Sequence, residues 1–112
     1  MTVSELAATC NFTFAAGQEE ADRAVSGGYC GDLLSLVMGR AGSGNAWLTV
    51  MGNVNAVAVA VLADVGCMIL CEGVCPDAEA LTRAKQQGVC LLRTDLPAFE
   101  AAVAVAAAMK KE

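Results

Sequence analysis

An α/β domain with a mainly parallel sheet is the architecture this sequence predicts, and two observations carry that expectation. The stretch from Cys67 to Met109 twice repeats one unit: a short apolar run, a turn rich in Gly, Pro and Asp, then an amphipathic helical segment. In the first copy Cys67-Met-Ile-Leu-Cys71 leads through Glu72-Gly73-Val74-Cys75-Pro76-Asp77 into 78–87. In the second, Val89-Cys-Leu-Leu92 leads through Arg93-Thr94-Asp95-Leu96-Pro97 into the last helix. Strand, turn and helix in alternation make neighbouring strands parallel. The second observation is 46–51, a run of β-formers followed by a segment that has to carry the chain back across the sheet, as parallel pairing requires. In such sheets the turns leaving the strands line up along one edge, where ligands usually sit.

The elements follow in order. Thr2 and Glu5 have the capping-box spacing, which predicts a short helix through Ala8. Phe12-Thr-Phe14 alternates as a half-buried strand, and the polar segment 18–22 reads as a surface turn. Ala24-Val25 reads as a brief strand that stops at Ser26-Gly27-Gly28. Asp32-Leu-Leu-Ser-Leu-Val-Met38 then has helical spacing, and Gly42-Ser-Gly44 ends it. Strand 46–51 is closed by Gly52-Asn53. In 55–64, Val57, Val59 and Val61 alternate as in a strand while the intervening alanines favour helix; helix is the reading, since a second strand would leave 46–51 without a crossover. The Val and Ala on every side of it predict burial all round, and hence contact with a second subunit. Pro76 takes a favoured first helical position with Asp77 and Glu79 at the positive end of the helix dipole, and Gly88 closes that helix. Pro97 opens the last helix, where Phe99, Val103, Ala106 and Met109 form an apolar stripe before Lys110-Lys111-Glu112.

With 112 residues the expectation is one domain spanning 1–112. The chain is 56% apolar but only 4% aromatic, so Ala, Val, Leu and Met must fill its interior. Its 17% charged residues fall below the usual roughly 25%, which predicts an apolar patch on the surface and a homodimer, or a protein partner, to cover it. Net charge is −5 and the seven Lys plus Arg are scattered. Without a basic stripe, nucleic acid and anionic membrane are excluded as expected partners. Segment 46–70 is apolar enough to suggest a membrane span, yet it contains Gly52, Asn53, Asn55, Asp64 and Gly66, as two buried elements with a turn would. The acidic start Met1-Thr-Val-Ser-Glu5 does not read as a targeting segment, so the expected location is the cytoplasm, with all six cysteines reduced.

The candidate site is the rim formed by Gly27, Gly28, Tyr29, Gly52, Asn53, Asn55, Glu72, Gly73, Thr94 and Asp95. Glycines let backbone amides approach a ligand, and helix N-termini favour an anion. The same residue types also stop strands and cap helices. Neither a G-x-G-x-x-G order nor a Gly-Lys-Ser/Thr sequence occurs, so dinucleotide and Walker-type phosphate fingerprints are excluded. Cys67, Cys71 and Cys75 recur every four residues, but without histidine or a close C-x-x-C pair they read as packing rather than as metal or cluster ligands. Cys30 and Cys75, in turns, are the expected exposed thiols. Without His, the acids and nucleophiles available for catalysis are Glu72, Asp95, Tyr29, Asp32 and the cysteines, and no spacing marks a dyad; Glu72 and Asp95 follow successive strands and are the pair to inspect. No catalytic residue, metal ligand or cofactor is expected.

These turns resemble the DRTGG domain, a small bacterial module, and its relative, the N-terminal domain of HPr kinase/phosphorylase. The residues that carry the resemblance are Ser26-Gly27-Gly28-Tyr29, Asp32-Leu33-Leu34, Val50-Met51-Gly52-Asn53-Val54-Asn55, Ile69-Leu70-Cys71-Glu72-Gly73 with Pro76-Asp77, Leu81, Ala84, Gly88-Val89, and Leu91-Leu92-Arg93-Thr94-Asp95-Leu96-Pro97, over about 24–108. The resemblance implies a compact α/β domain of HPr kinase N-terminal-domain type. It also implies a regulatory or small-ligand-binding role, sensing a metabolite or nucleotide, without catalysis. The chain departs from the family's name, because the run Asp-Arg-Thr-Gly-Gly occurs nowhere, and Asn53-Val54-Asn55 stands where relatives carry Asp-Arg after the middle strand. A site that used those charges is altered here. The alternative of a different class is a protein-docking scaffold or accessory protein of a redox or hydrogenase-type system.

Overall fold

A computed structural model describes residues 1–111. The chain forms one five-stranded sheet with helices on both faces. The strands are β1 (Thr13–Ala16), β2 (Gly27–Cys30), β3 (Asn45–Thr49), β4 (Cys67–Leu70) and β5 (Leu91–Arg93). The helices are α1 (Val3–Cys10), α2 (Leu34–Arg40), α3 (Val54–Leu62), α4 (Ala78–Gln87) and α5 (Ala98–Lys110). Strand order is β1-β5-β4-β3-β2, with β2 through β5 parallel. The mainly parallel α/β architecture is therefore as expected. β1 departs from the repeat: it lies on the outer edge antiparallel to β5, Thr13 opposite Arg93.

Two apolar layers sandwich the sheet. α1 and α5 bury Leu6, Ala101 and Val105 against Leu48, Ile69 and Leu92 on one face; α2, α3 and α4 bury Val37, Val57 and Ala84 against Trp47, Met68 and Leu91 on the other. The buried Trp47 indole donates to the Gly31 carbonyl (2.9 Å), so the one polar atom of the largest core side chain is satisfied. The even spacing of Cys67 and Cys71 puts both, with Cys90, in the α1/α5 layer as buried packing groups. Burial pushes the Cys67 thiol up to about 12 and the Cys71 and Cys90 thiols up to about 11.

Local chemistry explains the helix starts. The Thr2–Glu5 capping box forms both its bonds, Thr2 N to Glu5 Oε1 at 2.8 Å and Glu5 N to Thr2 Oγ1 at 3.1 Å. Asn53 caps α3 through Ala56 N (2.9 Å) and Asp77 caps α4 through Ala80 N (2.8 Å). Asp77, not Pro76, is thus the boundary residue, and Pro76 lies one position outside the helix.

Three expectations are corrected. Ala24-Val25 is not a sheet strand: Ala24 bridges Thr2 and Val25 N donates to the Met1 carbonyl, so this pair is taken by the N-terminus. Gly27–Cys30, expected to lie in the turn, becomes the edge strand β2. The Val-Ala helix α3 is a helix as expected but is not buried all round, since Leu62 is 71% exposed and Asn55 and Val61 also face solvent. In α5 the packed face is Ala101, Val105 and Ala108, whereas Phe99 (77% exposed), Val103 (53%) and Ala106 of the expected stripe point away and only Met109 reaches the core. Alanine on the inner face lets the helix lie close to the sheet, which turns the bulkier residues outward. Among the described residues, no helix is long and apolar enough to cross a membrane.

Candidate functional site

The turns after β3, β4 and β5 meet along one edge of the sheet, because the three strands are parallel neighbours. Main-chain hydrogen bonds join them. Asp77 N donates to the Gly52 carbonyl (2.9 Å), Glu72 N to the Leu96 carbonyl (2.8 Å) and Gly73 N to the Thr94 carbonyl (3.0 Å). The packing is tight enough that a Cβ on Gly52 would lie 2.9 Å from the Cys75 carbonyl oxygen. Glu72 and Gly73 are consecutive left-handed residues, at φ 62° and 72°. Glycine adopts that conformation freely; glutamate does so at a cost of about 1 kcal/mol or more. The Glu72 side chain accounts for its presence: Oε2 accepts from Ala98 N at 2.9 Å, capping α5, which Pro97 cannot cap with a side-chain hydrogen bond. One residue thus ties the β4–α4 turn to the start of the last helix.

The rim gathers Gly52, Asn53, Glu72, Gly73, Thr94 and Asp95, with Asn55 exposed on the first turn of α3. Asp95 stands over Gly73, its Oδ1 3.2 Å from where a Cβ there would be. Glu72 and Asp95 are therefore on the same rim, with the Glu72 carboxylate committed to Ala98 N and no hydrogen bond to the Asp95 side chain among the described residues. Gly27 and Gly28 lie elsewhere. They start β2 beside Asn45 and Ala46 at the start of β3, the end of the sheet away from these turns. Tyr29 is a half-buried residue within β2 that packs toward the α2/α3/α4 layer. Their place at the rim is taken by Asp32, just beyond β2, whose Oδ1 accepts from Thr49 Oγ1 (2.7 Å) and Val50 N (3.0 Å).

A cleft of about 550 Å³ opens beside this rim, lined by Cys10, Asn11, Thr13, Arg93, Thr94, Asp95, Leu96 and Pro97. Its volume is in the range of small-molecule sites. Thr94 and Asp95 are the expected contributors; Arg93, Asn11 and Thr13 were not singled out. Arg93 was readable as a cation at a strand end, but Asn11 and Thr13 reach the cleft only through the antiparallel β1–β5 pairing. Arg93 Nε donates to the Val74 carbonyl (3.3 Å), and its other guanidinium donors have no hydrogen-bond partner among the described residues. The Cys10 thiol is raised by burial, and the exposed Cys30 thiol by burial and by Asp32. Among the described residues, no cluster of three or more His, Cys, Asp or Glu side chains is placed to hold a metal ion.

No family model and no curated protein sequence matches the chain. A solved structure is similar to it: that of the CBS and DRTGG domains of the regulatory region of Clostridium perfringens pyrophosphatase, complexed with its activator, diadenosine tetraphosphate. The TM-score is 0.73 at 13% identity, over 96% of this chain and 46% of that one. The chain thus spans less than half of the length of that neighbour. At this identity the likeness is one of fold: this chain has an α/β fold like that found in the CBS and DRTGG region of that pyrophosphatase.

Proposed function

We propose that this chain is a regulatory, non-catalytic module of the DRTGG type that works as a homodimer and binds a small anionic ligand, a nucleotide or other phosphorylated metabolite, at its rim. The observation that carries the reading is the 550 Å³ cleft beside Arg93, Thr94 and Asp95. A guanidinium with unspent donors suits phosphate, and Asn11, Thr13 and Thr94 supply neutral hydrogen-bonding groups for the rest of a polar ligand. Gly52, Asn53, Asn55, Glu72 and Gly73 shape the adjoining wall. The regulatory, nucleotide-bound character of the similar structure supports the same reading.

The test is thermal unfolding of the full chain with ATP, AMP, diadenosine tetraphosphate and inorganic phosphate at millimolar concentration. A ligand present at a hundred times its Kd stabilises the fold by about 2.7 kcal/mol. At least one phosphorylated compound is expected to raise Tm, and Arg93→Ala to abolish the shift while leaving the unliganded Tm nearly unchanged. A flat panel overturns the reading. It would favour the second one, a protein-docking scaffold, for which the exposure of Phe99 and Val103 on α5 is the supporting observation.

A further inference from the structure

The two edges of the sheet are built differently. β1 is irregular between Phe14 and Ala16, and Gln18, Glu19 and Lys85 stand beside it, the bulge and charge with which proteins blunt a free edge. β2 has no such protection. Gly27-Gly28-Tyr29-Cys30 contains neither charge nor proline and keeps regular register with β3 throughout. Gly31 N donates to the Leu48 carbonyl (3.2 Å). Residues facing the neighbour alternate along a parallel strand, so Tyr29 and Gly31 face β3, while the N–H and C=O of Gly28 and Cys30 face outward.

Apolar side chains flank this edge in both layers. The α2 segment, which follows β2 directly, exposes Leu33 at its cap and Leu36 and Met38 on its two flanks. On the other face α5 packs over β2 and leaves an apolar groove of about 300 Å³ between Gly28, Cys30, Ala102, Ala106 and Met109.

We propose that the β2 edge is the dimer interface: a second copy of this chain adds its own β2 antiparallel about a two-fold axis at Tyr29, joining two five-stranded sheets into one. This rests on the reading of the chain as a homodimer. Self-complementarity identifies the occupant. Antiparallel pairing of identical strands at this register sets Gly28 against Cys30 of the second copy and Cys30 against Gly28, and each pair exchanges two hydrogen bonds, so all the outward groups of both strands are satisfied together. Gly28 and Cys30 share a face, so directly opposed residues meet on the α5 side, and the two Tyr29 rings meet on the other. A four-residue strand alone falls far short of the about 800 Å² per partner that a stable interface buries. The groove under α5 on one face and the exposed apolar residues of the α2 segment on the other supply further apolar area.

The experiment is sedimentation velocity of the full chain at tens of micromolar, together with disulfide trapping. The chain is expected to sediment as a dimer, and Cys30→Lys, an exposed change whose fold is checked by circular dichroism, as a monomer; Ala106→Glu, an exposed change in the groove beside β2, weakens the dimer independently. With Cys30 and Cys75 changed to Ser, Tyr29→Cys is expected to give an intermolecular disulfide on mild oxidation, because the non-hydrogen-bonded antiparallel position brings the two Cα atoms to about 4.5 Å. Leu62→Cys, exposed at the end of α3, the middle helix of the α2/α3/α4 layer, is expected not to. A monomeric wild-type chain overturns both the edge and the homodimer reading. A dimer that survives Cys30→Lys, or that traps at position 62 and not at 29, overturns the edge alone.

Discussion

The two ends of the parallel sheet both carry main-chain hydrogen bonds between their turns, yet they differ in how far side chains close them. At the end where the strands begin, side chains bond to one another. Asp64 accepts from Arg23 (3.0 Å) and Ser43 (2.6 Å), Ser26 Oγ donates to the Ser43 carbonyl (2.7 Å), and Asn45 bonds Ser26 and Gly42 N. The cavity there is about 100 Å³. At the end where the strands finish, main-chain groups stitch the turns together, and the cleft of about 550 Å³ stays open beside Arg93 and Asp95. Non-glycine residues in the left-handed region occur at both ends, Asp64 at φ 56° at the closed one and Glu72 at φ 62° and Asn11 at φ 59° at the open one. At Asp64 and Glu72 a carboxylate anchored to another segment keeps the backbone there. The difference shows how a small domain closes one rim with side chains and keeps those of the other available for a partner.

The contrast can be broken most directly at Gly52. Gly52→Ala drives a Cβ against the Cys75 carbonyl and is expected to cost about 2 kcal/mol in urea unfolding. Amide exchange should quicken at the β4–α4 turn while Ser26 and Gly44, at the closed end, keep their protection. If both ends loosen equally, the two rims are not independent.

Glu72 sharpens the comparison with a smaller effect. Glu72→Ala loses the α5 cap and keeps the backbone strain, with an expected loss of about 1 to 2 kcal/mol. Glu72→Gly loses the cap but relieves the strain, so its loss should be smaller by about 1 kcal/mol. Equal losses would show that the left-handed conformation at 72 stores nothing.

The smallest effect is at the closed end and depends on pH. Hydrogen bonds from Ser43 and Arg23, with the Arg23 charge, hold the Asp64 carboxyl below its ordinary value. A depressed carboxylate stabilises the fold above the unfolded pKa, about 3.9, and that contribution is lost as pH falls through the lower folded value. Protection of Gly44 N–H, which donates to the Asp64 carbonyl, should therefore fall relative to its intrinsic exchange rate below about pH 4 in the native chain and change less with pH in Asp64→Asn. The same pH profile in both would remove Asp64 as the cause.

Much of this architecture is written locally. The Thr2–Glu5 box, Asn53 and Asp77 announce helices within three residues of themselves, and the strand-turn-helix units beginning at 46, 67 and 89 set three neighbouring turns on one rim. The misread stretch is 24–30, where Ala24-Val25 is the better β-former and Gly27-Gly28 the better turn. The N-terminus claimed the former through Met1 and Thr2, and β3 paired with the latter, a competition between segments that no local pattern records.

By itself, then, the order of residues determined the parallel repeat and most of the helix boundaries, because caps, crossovers and apolar runs act over a few positions along the chain. Only the tertiary structure decided that β1 runs antiparallel beside β5, which brings Asn11 and Thr13 to Arg93, and that Glu72 serves a helix 26 residues away. Those choices depend on which distant segment satisfies an open strand edge or an uncapped helix end, and that is settled by the whole fold competing for the same hydrogen bonds.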